Sequence, residues 1–192
     1  MNDQTTRERI VEAADKLFYE QGFEYTSFAH IAAAVEISRG NFYYHFKAKD
    51  EILSAVIERR LSGTKALLDQ WERKSDTPED RIRSFINILI MNRTKIKEFG
   101  CPVGTLCSEL AKVDHPAQPE ANALFTLFRK WLRKQFTDLG LKKDADALAM
   151  HLLVQSQGVA TLASAFHDEK FIKREVERMS DWLTETIRKT KT

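Results

Sequence analysis

The chain has 192 residues, 43% hydrophobic and 30% charged, with a formal net charge of +2 at pH 7. That is the composition of a folded chain of one larger domain or one small plus one medium domain, and it excludes a disordered or fibrous one. Seven glycines and four prolines are few for a strand-rich protein and favour long helices, and two cysteines, Cys101 and Cys107, make no disulfide framework and fit a reducing compartment.

The N-terminus is polar and charged from the start, without the apolar stretch of a signal peptide, and no apolar run approaches the roughly 18 residues of a membrane span. A cytoplasmic protein with no membrane partner is expected. The first helix carries Ile10, Val11, Ala14, Leu17 and Phe18 at helical spacing, opens on a Thr5/Glu8 capping box and stops at Gly22. Thr26 and Ser27 are cap residues for a short second helix, Phe28–Val35. A tight turn at Glu36–Ile37 leads to a third short helix, capped by Ser38 and running to about His45. Two short capped helices joined this way are a helix-turn-helix.

A longer helix follows from about Ala48 to Trp71. Thr77 as cap, Pro78 at the first helical position and Glu79 and Asp80 in the first turn restart the chain as the helix of Ile82, Phe85, Ile86, Leu89 and Ile90. Gly100-Cys101-Pro102 breaks it, a helix from about Val103 to Lys112 follows, and His115-Pro116 and Pro119 mark a loop. Leu124, Phe125, Phe128, Trp131, Leu132 and Phe136 define an aromatic-rich helix stopped at Gly140, and Asp144–Phe166 and Lys170–Lys189 read as the last two. The fold class is all-α, about nine helices, with residues 1–47 as the helix-turn-helix domain and 48–192 as a C-terminal helical domain.

Function is concentrated in residues 26–49. The net charge does not announce a nucleic-acid binder, and residues 1–50 hold six Lys/Arg against eight Asp/Glu. From Ile37 to Lys49, however, the only charges are Arg39, Lys47 and Lys49. The residues that open the second helix of a helix-turn-helix reach base edges in the major groove; here they are Ser38, Arg39, Gly40 and Asn41. Arginine pairs bidentately with guanine and asparagine with adenine. Gly40, lacking a side chain, allows close approach to DNA. Tyr43, His45 and Lys49 are of the types that contact phosphates, which position without specifying, and Thr26, Ser27 and Tyr44 complete the expected DNA-binding set. Phe42 and Phe46, four apart, pack inward.

The same segment resembles the tetracycline-repressor family (TetR/AcrR type). The resemblance rests on Ile31-Ala32, on Glu36-Ile37-Ser38, and on Gly40-Asn41-Phe42-Tyr43-Tyr44-His45-Phe46-Lys47-Ala48-Lys49, and spans roughly residues 5–55. It implies a nine-helix homodimer whose last two helices form a four-helix interface. It also implies a pocket in the C-terminal domain where a small-molecule effector weakens binding to a palindromic double-stranded DNA operator. Two positions depart from the pattern. Glu36 stands where the turn often has glycine, a position that strains Glu if φ is positive, and Ala48 stands where a polar cap is commoner.

The apolar stripes place the pocket among Ile86, Ile90, Cys101, Leu106, Phe125, Phe128, Trp131, Leu152 and Gln155, and the dimer interface on Leu152, Val159, Phe166, Val176, Met179, Trp182 and Leu183. Cys101 and Cys107 read as small apolar fillers, the alternative being a thiol pair that senses oxidants or electrophiles. Cys101, Cys107, His115 and His151 match no zinc spacing, so neither metal nor cofactor is expected. A helical enzyme is the rival class; no phosphate loop, nucleophile elbow or His-Glu-x-x-His supports it.

Overall fold

The computed structural model describes residues 5–190. Among these there is no strand, and ten helices run in the order α1 (Thr6–Gln21), α2 (Phe28–Val35), α3 (Arg39–His45), α4 (Lys49–Lys74), α5 (Pro78–Met91), α6 (Arg93–Phe99), α7 (Pro102–Lys112), α8 (Gln118–Asp138), α9 (Ala145–Phe166) and α10 (Glu169–Thr190). The all-α expectation of about nine helices is met. The tenth comes from Asn92, where the stretch from Pro78 to Phe99 is interrupted for a single residue. Pro119, expected in a loop, sits in the first turn of α8, where its missing N–H costs nothing.

Local chemistry sets the helix ends. Thr5 and Glu8 close a capping box on α1, the Thr5 N–H donating to Glu8 Oε2 at 2.8 Å. That backbone donor, seconded by the Thr5 hydroxyl, holds the Glu8 carboxyl below its ordinary range. Ser27 caps α2 by accepting from the His30 N–H, while its own N–H donates to His30 Nδ1, so His30 takes the part usually given to Glu or Gln. Ser38 caps α3 through the Asn41 N–H, and Thr77 caps α5 through that of Asp80.

The chain forms two compact units. One comprises the residues up to Gly63 and Thr105–Ala123; the other comprises Thr64–Gly104 and the residues from Leu124 onward. The boundary expected at residues 47/48 therefore falls inside the first unit. That unit is centred on Ile10, Ala14, Phe18, Phe23, Ile31, Phe42 and Ile52, all nearly or fully buried. Phe18 meets Phe23 edge-to-face at 5.2 Å, and Phe23 meets His115 at 5.2 Å. The core of the second unit takes in Trp71, Phe85, Trp131, Phe136, Leu152 and Leu183, with Trp71 and Trp131 rings 5.6 Å apart. No helix of the described residues is long and apolar enough to cross a membrane.

Candidate functional site

The helix-turn-helix is α2 and α3 with the turn between them. The turn closes as a Schellman motif: the Ile37 N–H reaches Ala32 O at 3.2 Å and the Glu36 N–H reaches Ala33 O at 3.2 Å. This needs a left-handed residue after the helix, and Glu36 supplies it at φ 59, ψ 44. Arg9 ties α1 to the same place, donating to Val35 O at 2.9 Å. Phe42 is buried, packed on Phe28 at 5.1 Å, and that contact fixes which side of α3 faces out.

The outward side carries Ser38, Arg39, Gly40, Asn41, Tyr43 and Tyr44, all exposed, with Tyr44 at 79%. A Cβ added to Gly40 would meet nothing within 4 Å. Among the described residues nothing requires glycine there, although glycine in a helix costs about 1 kcal/mol.

Several residues of the expected DNA face also have partners within the chain. Thr26 is buried, and its hydroxyl donates to Gly22 O at 2.7 Å, so it closes the α1–α2 loop instead of reaching outward. Ser27 is exposed but serves as the cap. Lys49 is half-buried; its ammonium donates to Phe23 O at 3.0 Å and Glu24 O at 3.4 Å and lies 4.1 Å from the Phe23 ring centroid. His45 is half-buried and stacks edge-on against Tyr44. Glu109, which sequence reasoning missed, accepts from the Phe23 N–H and the Glu24 N–H, each at 2.9 Å.

The second unit contains a cavity of ≈ 100 Å³. Of the expected pocket residues, Cys101, Phe125 and Phe128 line it. Ile86, Ile90, Trp131, Leu152 and Gln155 belong to the same unit but do not line it, and Leu106 is buried in the first unit. Phe85, Leu153 and Gln157 are lining residues that the apolar stripes did not single out. Cys101 Sγ accepts from the Gly104 N–H and from Gln157 Nε2. Cys107 is buried in the first unit. No group of three or more His, Cys, Asp or Glu among the described residues is placed to hold a metal.

Residues 10–56 match the family described as bacterial regulatory proteins, tetR family. Residues 78–178, more than half of the chain, match the LmrA/YxaF-like transcriptional regulator C-terminal domain. The chain belongs to the TetR family of transcriptional regulators. Similar proteins include an HTH-type transcriptional regulator encoded in the lacX 3′ region of Lactococcus lactis subsp. lactis, 28% identical over 87% of each chain. They also include the repressor DhaR of Mycobacterium sp. strain GP1, 25% identical over 66% of this chain and 62% of that one. A TetR regulator from Legionella pneumophila superimposes with a TM-score of 0.84 at 25% identity, over 97% of this chain and 99% of the other.

TetR-family regulators bind DNA and dimerise, and the residues expected at the interface differ in their burial within the chain. Leu152, Val159, Val176, Met179 and Leu183 are buried in the chain's own core, and Trp182 is partly buried against it. Much of the apolar stripe of α10 thus packs within the subunit. Phe166 is 74% exposed and belongs to an outward apolar face of α9 with Met150, Val154 and Leu162.

Proposed function

We propose that this TetR-family chain is a ligand-responsive repressor that binds a palindromic operator as a homodimer and leaves it when a small molecule occupies the cavity of the second unit. The observation that carries the reading is the outward face of α3: Arg39 and Asn41 stand on either side of Gly40, whose flank is open. That is room for a groove, with side chains suited to guanine and adenine beside it. The dimer face is the outward apolar side of α9, where Gly158 leaves open space for close helix packing. Half-sites about 34–36 Å apart, or a multiple of that, match two recognition helices related by two-fold symmetry.

Repression is taken from the name of the DhaR relative. Ligand control requires that the effector bind the DNA-competent and DNA-incompetent states with different affinity, since tight binding alone shifts nothing. The helix α4 runs on unbroken past Gly63, from one unit into the other, and supplies the covalent lever.

Selection of bound duplexes from a random pool tests the reading. A palindrome is expected, and Arg39→Ala or Asn41→Ala relaxes base preference at the cost of about 1–3 kcal/mol on the best site. An unchanged consensus and affinity for both variants overturns the assignment of α3. Light scattering with Val154→Glu tests the dimer face, and a variant that stays dimeric overturns it.

A further inference from the structure

We infer that α4 carries a joint at Ser62-Gly63-Thr64, so that the helix bends there and does not move as a rod. The inference rests on the reading of α4 as the lever between the units and says where that lever gives way.

Both ends of α4 are held. In the first unit Ile52, Leu53, Val56 and Ile57 are buried, and Arg60, just beyond them, donates to Asp15 of α1 at 2.7 Å. In the second unit Leu68 and Trp71 enter the core. Glu72 beside them accepts from Lys134 Nζ at 3.1 Å and from Nε2 of the buried Gln135 at 3.3 Å, both on α8.

The middle is not held in this way. Of residues 58–67, all of them described, none is buried, and Ser62, Gly63, Lys65 and Ala66 are exposed. At 1.5 Å per residue that is roughly 15 Å of helix. It has no core side chain to keep its backbone hydrogen bonds closed, and local opening costs least where buried apolar contacts are few.

The residue types weaken this stretch further. Glycine is the poorest helix former after proline, and serine and threonine are well below alanine. A Gly/Ser pair is one of the few causes of a sharp bend in a helix. Packing among the described residues does not call for glycine at position 63: a Cβ built there meets nothing within 4 Å, and its φ is not left-handed. Gly104 is the contrasting case inside a helix, since a Cβ there would overlap Gln157 Oε1. The two units divide between Gly63 and Thr64. A strain applied to α4 is therefore taken up in its middle. Nearer either end it would have to draw buried side chains out of a core or break the Arg60–Asp15 pair.

Hydrogen exchange on the DNA-free, full-length protein, read residue by residue, tests the joint. The amides of residues 62–67 are expected to exchange at least about tenfold faster than those of residues 53–57 and 71–73. Gly63→Ala, which fits without a clash, should slow them about fivefold, the helix preference of alanine over glycine, and raise Tm. Central amides as protected as the flanks, or unchanged by Gly63→Ala, would overturn the joint. Its role is read on the selected operator with one base pair added between the half-sites. Wild type should lose less affinity on the longer operator than Gly63→Ala does, because the more pliant helix adjusts its angle more readily; equal losses would overturn that role. If neither protein selects a palindrome, the repressor reading fails, and the exchange rates decide the joint on their own.

Discussion

Glu36→Gly is expected to stabilise the protein, which is unusual for a substitution inside a short recognition motif. Glu36 holds φ 59, ψ 44 because the Schellman closure of α2 needs a left-handed residue there. That conformation costs an L-residue about 1–2 kcal/mol through its Cβ, and glycine avoids it. Glycine also frees the unfolded chain, returning about 0.4–1 kcal/mol of the gain. The net is about 0.5–1 kcal/mol, or about 1–4 °C in Tm for a chain of this size. Two other non-glycine residues share the conformation, Asp114 at φ 50 and His167 at φ 52. Asp and His enter this region several-fold more readily than most residues, so their glycine variants should gain less. Thermal denaturation followed by circular dichroism reads the effect, and Glu36→Ala is the control that removes the carboxylate while keeping Cβ. If Glu36→Gly lowers Tm, or Glu36→Ala raises it equally, the Cβ argument is wrong.

The remaining expectations concern the α1–α2 loop and one surface ion pair. Lys49→Ala should lower Tm and weaken operator binding, yet leave the slope of log K against log salt nearly unchanged, because its ammonium serves Phe23 O and Glu24 O; a slope reduced by about 0.9 would assign it to a phosphate instead. Glu109→Gln keeps one acceptor for two N–H donors and turns an NH₂ toward the other, so a loss of about 1–3 kcal/mol in thermal denaturation is expected; an unchanged Tm would show that water replaces the carboxylate. Lys134 holds the Glu72 carboxyl below its ordinary value of 4.5, chiefly by hydrogen bonding. A depressed pKa stabilises above the unfolded value and stops doing so as pH falls through the folded one. The Tm advantage of wild type over Lys134→Met should therefore be full above pH 4.5 and disappear below it, and a difference that persists in acid would point to packing.

Much of this was legible in the sequence because short-range chemistry governs it. Caps at Thr5, Ser38 and Thr77 act on backbone three residues away, and the spacing alone identifies them. Adjacent cap residues are harder: Thr26 and Ser27 are interchangeable by type, and only the pairing of Ser27 with His30 separates them. The break at Asn92 left no signal, since asparagine is tolerated within helices. On α9, periodicity identifies apolar positions but not which of two apolar sides meets the chain's own core. Leu152 and Val159 went inward, and Val154 and Leu162 outward. The cavity shows the same difficulty. Gln155, Ser156 and Gln157 are consecutive polar residues separated by about 100° each on the helix, and tertiary packing alone decides that Ser156 and Gln157, not Gln155, line the space.

The loop between α1 and α2 shows why the first unit could not be read as one continuous stretch. Gly22 was recognisable as a helix stop, and its φ of 92 fits that role. The structure gives it a second constraint: a Cβ there would stand 3.0 Å from Glu109 Oε1. Glycine is therefore required both by the backbone and by the approach of a carboxylate that reaches the Phe23 N–H from 86 residues further along the chain. Glu109 takes the donors of Phe23 and Glu24, while Lys49 takes their carbonyls. The backbone polar groups of the loop are thus satisfied by two side chains of opposite charge, one from α4 and one from α7. Withdrawing either leaves backbone groups without partners, at about 1–3 kcal/mol for each that stays buried. The entry to α2, and through it the setting of α3, depends on where those two helices hold their charges. A displacement of α4 or α7 need not touch the recognition residues to alter how they are presented to DNA.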